Sequence, residues 1–202
     1  MSDVRSIAVI GAGQMGGGIA QIAAVAGLEA IVFDAASGAI GRCKGLHEKL
    51  LSRAVEKGRM SADDAKAALA RVTYTERGDD IAGADWCIEA VVENAKVKKD
   101  VFARLAETAK NKDAVLATNT SSISITEIAA ATGDKAPRVV GMHFFYPVPV
   151  MGLVEVIKGL QTDDAVVERM GPGAVRTGLQ LAGFMQSEGG VTAHFSDAVA
   201  GG

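Results

Sequence analysis

The chain alternates short continuous apolar runs with glycine-rich or amphipathic stretches. "SIAVI" (6–10) leads into "GAGQMGGGIAQIAAVAG" (11–27), a glycine turn opening a small-residue helix, and then into "EAIVFD" (29–34). Apolar runs that do not alternate with polar residues predict strands buried on both faces. Two such strands joined through a helix form a parallel, right-handed βαβ unit. Gly27 stands where a helix C-terminus needs glycine. Residues 37–71 are charged and helical in period, broken at Gly58, with Ser61, Asp63 and Asp64 as a second helix start. They predict two helices inserted after the second strand. The strand rhythm resumes in "VTYT" (72–75), "ADWCIEAVV" (84–92), "AVLATNTSS" (114–122), "RVVGMHFFYP" (138–147) and "LVEVIKG" (153–159). Between them, "KVKKDVFARLAETAK" (96–110) predicts an amphipathic helix and "ISITEIAAAT" (123–132) a short one. Beyond about residue 165 the periodicity fades into glycine-rich sequence. The pattern therefore predicts one domain over 1–165 and a divergent tail over 166–202 with no assigned element.

The glycine turn adds chemistry to this pattern. "GAGQMG" (Gly11 to Gly16) fits G-x-G-x-x-G, follows a predicted strand, opens a helix, and is followed by Asp34 at the end of the second strand. Gly11 permits the tight turn, Gly13 lets backbone approach a pyrophosphate, and Gly16 lets helix and sheet pack closely. Gln14 and Met15 lie at the helix N-terminus, whose N–H groups and partial positive charge attract phosphate. Asp34 accepts hydrogen bonds from a ribose and repels a 2′-phosphate, and Ala35 and Ala36 supply no arginine to hold one. The expected cofactor is NAD rather than NADP. The expected fold is α/β: a Rossmann-type, doubly wound, mostly parallel sheet with a two-helix insertion after the second strand. A glycine turn serving helix packing alone is the competing reading.

Composition narrows the class. The 202 residues are 49% hydrophobic and 22% charged, with a formal net charge of −3. No polybasic block points to nucleic acid or anionic membrane. No apolar run approaches the ~18 residues of a bilayer span. The N-terminus lacks the pattern of a signal peptide. Cys43 and Cys87 have no metal-ligand spacing and read as free thiols of a reducing compartment, so a cytoplasmic location is expected, with no metal.

"TNTSS" (118–122) and "MHFFYP" (142–147) fall at the carboxyl ends of predicted strands, where open α/β sheets bind ligands. That placement gathers Asn119, Ser121, Ser122 and His143 on the nicotinamide side. Oxidising an alcohol needs a base for the hydroxyl proton, and histidine suits it. Glu155, an acid inside apolar "LVEVI", is the candidate to hold the other ring nitrogen. The residues alone leave other readings open: a packed structural histidine, a Glu155 on a solvated face, and "TNTSS" as a helix cap.

Four ordered segments carry a more specific signal: "IAVIGAGQMGGGIAQ", "CIEAVVENAKVKKDVF", "TNTSSISITEIA" and "GMHFFYPVPVMGLVEVIKG". Together, over about residues 5–165, they resemble the NAD-binding domain of the 3-hydroxyacyl-CoA dehydrogenase family. That family, which serves fatty acid β-oxidation, oxidises the L-3-hydroxyl of an acyl-CoA thioester to a ketone with NAD, or runs in reverse. The resemblance implies that Gly11, Gly13, Gln14, Met15, Gly16 and Asp34 hold the adenosine half of NAD. It implies that Glu93 and Lys98 contact the cofactor ribose and nicotinamide side. Asn119 and Ser121 would lie near nicotinamide and substrate, with Ser121 bonding the substrate oxygen. His143 would be the general acid/base and Glu155 its orienting partner. Lys49, Arg53 and Lys57 would face the CoA phosphates, Lys57 being the nearest match to a substrate contact, although a solvated helix face explains them equally.

The chain departs from the family in three places. Tyr146 stands where the family motif His-Phe-Phe-Asn-Pro has asparagine, and Gly152 where lysine is usual. No asparagine follows Asn119, so a further charge-stabilising amide of the family is missing. The helical C-terminal domain, which closes the cleft and forms the family's homodimer, is not recognisable in 166–202. The expectation is NAD binding with weak or undetectable turnover. The competing function is a non-catalytic NAD-binding protein with a structural or interaction role.

Overall fold

The apolar runs become the strands of one sheet. A computed structural model describes residues 4–169 and 194–196. β1 (Ser6–Ile10), β2 (Glu29–Phe33), β3 (Val72–Thr75), β4 (Trp86–Glu89), β5 (Val115–Thr118), β6 (Val139–Phe144), β7 (Val154–Lys158) and β8 (His194–Ser196) lie in the order β3-β2-β1-β4-β5-β6-β7-β8. Pairing is parallel from β3 through β6; β7 runs antiparallel to β6, and β8 parallel to β7. The chain between Phe144 and Val154 has no helix to carry a crossover, so it returns β7 antiparallel beside β6. The mostly parallel, doubly wound sheet agrees with the sequence expectation.

Two cores explain why the strands read as unbroken apolar runs. Ile7, Val9, Trp86, Ile88, Val115, Ala117, Val140 and Met142 face one side, where α1 (Gln14–Val25), α2 (Ala39–Glu56) and α3 (Ala62–Ala70) cover them. Ala8, Ile10, Cys87, Leu116 and Val139 face the other, beneath α4 (Ala95–Thr108) and α5 (Ile125–Ala130). Residues alternate between faces, yet both faces are dry. Cys43 and Cys87 are buried free thiols on opposite sides of the sheet. The sequence pattern did not register the short 3-10 turns Gly78–Ile81 and Gly133–Arg138, nor α6 (Asp164–Arg169) and β8. α6 straddles the expected boundary at residue 165. The rest of the glycine-rich tail lies outside the described residues. Among the described residues, no helix is long and apolar enough to cross a membrane and no cluster has metal-ligand geometry.

The two-helix insertion forms as read. Ser61 caps α3, its Oγ accepting from the Asp64 N–H at 3.0 Å. α2 is tied to the rest by His47, which is 1% exposed. One ring nitrogen lies 2.8 Å from the Gly17 carbonyl in α1, the other 2.6 Å from the Tyr74 hydroxyl in β3. Burial holds the imidazole below its ordinary value of 6.5, with the Gly17 carbonyl pulling the other way. The unfolded chain therefore takes up this proton before the folded one does. Stability from this group is complete above pH 6.5 and falls as pH drops from there toward the depressed folded value. Thermal melts should fall over that window, and His47→Gln should flatten the fall; an unchanged slope would contradict the neutral, buried state.

Candidate active site

The strand order reverses between β1 and β4, because β2 and β3 lie on one side and β4, β5 and β6 on the other. The crevice above that switch point is where an open α/β sheet accepts a ligand. Its floor is the glycine loop. Gly11 has φ +110°, and a Cβ there would meet the Ala90 carbonyl oxygen at 2.6 Å. A Cβ on Gly16 would overlap the Gly11 carbonyl oxygen. Gly13 is the opposite case, with open space around the position of its absent side chain. Gly13 caps α1 with no side-chain bond, so the N–H groups of Gln14, Met15 and Gly16 have no partner within the helix. These features suit an anion on the helix end.

Asp34 has a structural part in this loop. Its Oδ2 accepts the Ala12 N–H at 2.8 Å and its Oδ1 the Ala36 N–H at 2.8 Å, so the same carboxylate fastens the glycine loop to the end of β2. Each oxygen keeps a further lone pair. Beside it opens a cavity of 370 Å³ lined by Gly11, Phe33, Asp34, Ile81, Val91, Val101 and Arg104. The sequence reading missed this apolar chamber. It is assembled from the end of β2, the 3-10 turn and α4, and no single segment signals it.

On the other side of the crevice, β6 and β7 place His143 directly opposite Glu155. Nδ1 of His143 and Oε2 of Glu155 are 2.8 Å apart. The side chains are 21% and 25% exposed, so the pair is shielded but reachable. A carboxylate at Nδ1 fixes the proton there and leaves Nε2 to act as base. Phe145 stacks at a tilt on the imidazole, ring centroids 4.6 Å apart. Asn119 accepts the Phe144 N–H on Oδ1 at 2.9 Å, and its own N–H donates to the Glu89 carbonyl at 2.8 Å. It thus cross-ties the ends of β4, β5 and β6 and keeps its side-chain NH₂ to offer.

Glu93 organises the serine turn. Its Oε1 accepts from the Thr120 hydroxyl, from the Ser121 N–H at 3.1 Å and from the Ser122 hydroxyl at 3.3 Å. Burial alone would raise its carboxyl, but the Thr120 hydroxyl, the Lys98 charge and the Ser121 N–H outweigh it and hold the group below the usual range. Ser121 itself is exposed. Lys98 lies directly beneath Glu93. Its side chain is 0% exposed, with Nζ 2.7 Å from Glu89 and 3.3 Å from Glu93. Two carboxylates engage the ammonium beneath the surface, and Glu93 is the one of the two that reaches solvent.

A groove of 770 Å³ runs between α1, α2 and the turn after β6. Ile22, Leu46, Leu50, Leu51, Met60 and Val148 form an apolar wall, and Arg53, Lys57 and Arg59 a basic rim. Arg53 and Lys57 thus share this rim; Lys49 is not part of it, and Arg59, which sequence reasoning did not single out, is. Tyr146 is 62% exposed and joins the wall, while His143 stands outside it.

This geometry can be set beside known proteins. The family profile described as "3-hydroxyacyl-CoA dehydrogenase, NAD binding domain" matches residues 6–178. A 3-hydroxybutyryl-CoA dehydrogenase of Mycobacterium tuberculosis is 46% identical over 170 residues, covering 84% of this chain and 59% of its own length. A probable 3-hydroxybutyryl-CoA dehydrogenase of Deinococcus radiodurans is 47% identical over 156 residues, covering 77% of this chain and 55% of its own. The chain therefore spans little more than half the length of these curated relatives. Among solved structures, M. tuberculosis FadB2 superposes with a TM-score of 0.86 at 39% identity, over 97% of this chain and 65% of that one. The Escherichia coli 3-hydroxybutyryl-CoA dehydrogenase gives 0.79 at 43%, over 82% and 35%. Profile, sequence and fold agree: the chain belongs to the 3-hydroxyacyl-CoA dehydrogenase family, through its NAD-binding domain.

Proposed function

We propose that this site oxidises the 3-hydroxyl of an acyl-CoA thioester with NAD, or reduces the ketone in reverse. The observation that carries the reading is the His143–Glu155 pair at 2.8 Å, beside the Asn119–Ser121 turn and across the crevice from the glycine loop. Gly11, Gly13, Gln14, Met15 and Gly16 would hold the pyrophosphate, and Asp34 with the 370 Å³ cavity the adenosine. NAD, when bound, supplies the hydride acceptor. His143 takes the hydroxyl proton on Nε2, and Glu155 stabilises the imidazolium that forms. The exposed Ser121 hydroxyl orients the substrate oxygen. The apolar groove with its Arg53, Lys57 and Arg59 rim suits the pantetheine arm and phosphates of CoA.

Tyr146 favours a second reading, an NAD-binding protein without turnover, because it stands where the family has asparagine. Its exposure, with the side chain in the groove wall, leaves the His143–Glu155 pair uncrowded, and slow turnover is the outcome we expect. The test is an NADH titration followed by NADH consumption on adding acetoacetyl-CoA. NADH should saturate the site and be consumed slowly. Because Asp34 faces the adenosine ribose, NADPH should bind more weakly; equal affinity for the two would contradict the Asp34 assignment.

A further inference from the structure

Glu89 had no part in the sequence reading of the site. It is 0% exposed and ends β4. Its Oε1 accepts the Val91 N–H at 2.7 Å and Lys98 Nζ at 2.7 Å. Its Oε2 accepts Lys98 Nζ at 3.0 Å and the Thr118 hydroxyl at 2.6 Å. One carboxylate thus gathers β4, β5, α4 and the loop between β4 and α4. All of this lies beneath the turn that carries Ser121.

We propose that Glu89 is a positioning residue for the nicotinamide half of the site, acting through Lys98 and Glu93; this rests on the cofactor reading above. An ammonium carries three N–H donors. Glu89 engages Lys98 through both oxygens from the buried side, which aims the remaining reach of Nζ at Glu93 Oε2, 3.3 Å away. Glu93 is 39% exposed and sits at the rim, so its placement depends on that inner partner. Held there, Glu93 keeps Oε1 for Thr120, Ser121 N–H and Ser122. Without the charge on Glu89, the buried ammonium has Glu93 as its one remaining counter-charge in this cluster and draws it inward, away from the turn. The glycine loop and Asp34 hold the adenosine half through bonds outside this set; Val91, whose N–H is bonded to Glu89, lines its cavity, and the amide oxygen of Glu89→Gln still accepts that N–H.

The experiment compares the wild-type chain with Glu89→Gln, each titrated with NADH and with ADP-ribose, a probe of the adenosine half alone. NADH affinity should fall about tenfold, the scale of one charge-assisted contact, while ADP-ribose affinity is unchanged. A general loss of structure would lower both together, so parallel losses would overturn the proposal, as would two unchanged affinities. Should Glu89→Gln fail to fold, Thr118→Val removes one donor from the same carboxylate at little change in volume. It should weaken NADH selectively, and unchanged NADH binding there overturns the proposal. Wild-type protein that binds neither probe would sink the cofactor reading as well; wild-type protein that binds both confines any failure to Glu89.

Discussion

His143→Ala is expected to slow NADH consumption with acetoacetyl-CoA by about 10²–10⁴, the usual worth of a positioned general acid/base, while NADH binds as before. The expectation follows from where the imidazole stands. Its Nδ1 is held by Glu155 from the neighbouring strand, and Phe145 covers one face of the ring. Nothing in that arrangement contributes to the glycine loop or to Asp34, so cofactor affinity and proton transfer should separate. Glu155→Gln should fall between the two proteins, because an amide oxygen can still accept the Nδ1 proton but does not balance an imidazolium charge. Single-turnover measurement, with enzyme in excess of NADH, resolves these rates even where the starting rate is low. Loss of NADH binding in His143→Ala would show that the histidine supports the fold instead.

The second large effect separates two glycines three positions apart in one loop. Gly16→Ala should destabilise the protein by about 3 kcal/mol or more, because the new Cβ meets the Gly11 carbonyl oxygen, which cannot rotate away. For a domain of this size that lowers the melting temperature by roughly 6–12 °C. Gly13→Ala should leave the melting temperature nearly unchanged. Its φ is −74°, which any residue adopts, and nothing lies within 4 Å of the added methyl. NADH affinity should nevertheless drop by about tenfold or more, because the proposed approach of the pyrophosphate runs through that open space. Differential scanning calorimetry and NADH fluorescence together decide it. If Gly13→Ala bound NADH like the wild type, the pyrophosphate would have to lie elsewhere.

Much of this architecture was legible in the sequence, and for definite reasons. Strands buried on both faces announce themselves as unbroken apolar runs, so β1, β2, β4, β5 and β6 stand out. Ser61 marks a helix start through a local hydrogen bond to Asp64 that needs no tertiary context. The His143–Glu155 pairing was legible because an acid inside "LVEVI" demands a partner. The same reasoning applied to Glu89 in "WCIEAVV" would have found the buried Lys98 pair, but the resemblance assigned Lys98 to the cofactor surface. The cavity beside Asp34 and the Arg59 rim could not be read, since each joins residues distant in sequence whose proximity only the packed helices create. The 3-10 turns were invisible for another reason: runs as short as "GDDI" carry no periodicity.

The most direct test of the central claim is one single-turnover experiment on the purified chain, with NADH bound and acetoacetyl-CoA added. A slow, acetoacetyl-CoA-dependent loss of NADH absorbance is expected, and His143→Ala should slow it by a further factor of about 10²–10⁴. NADH that binds but decays at the same rate in wild-type and His143→Ala protein would contradict it.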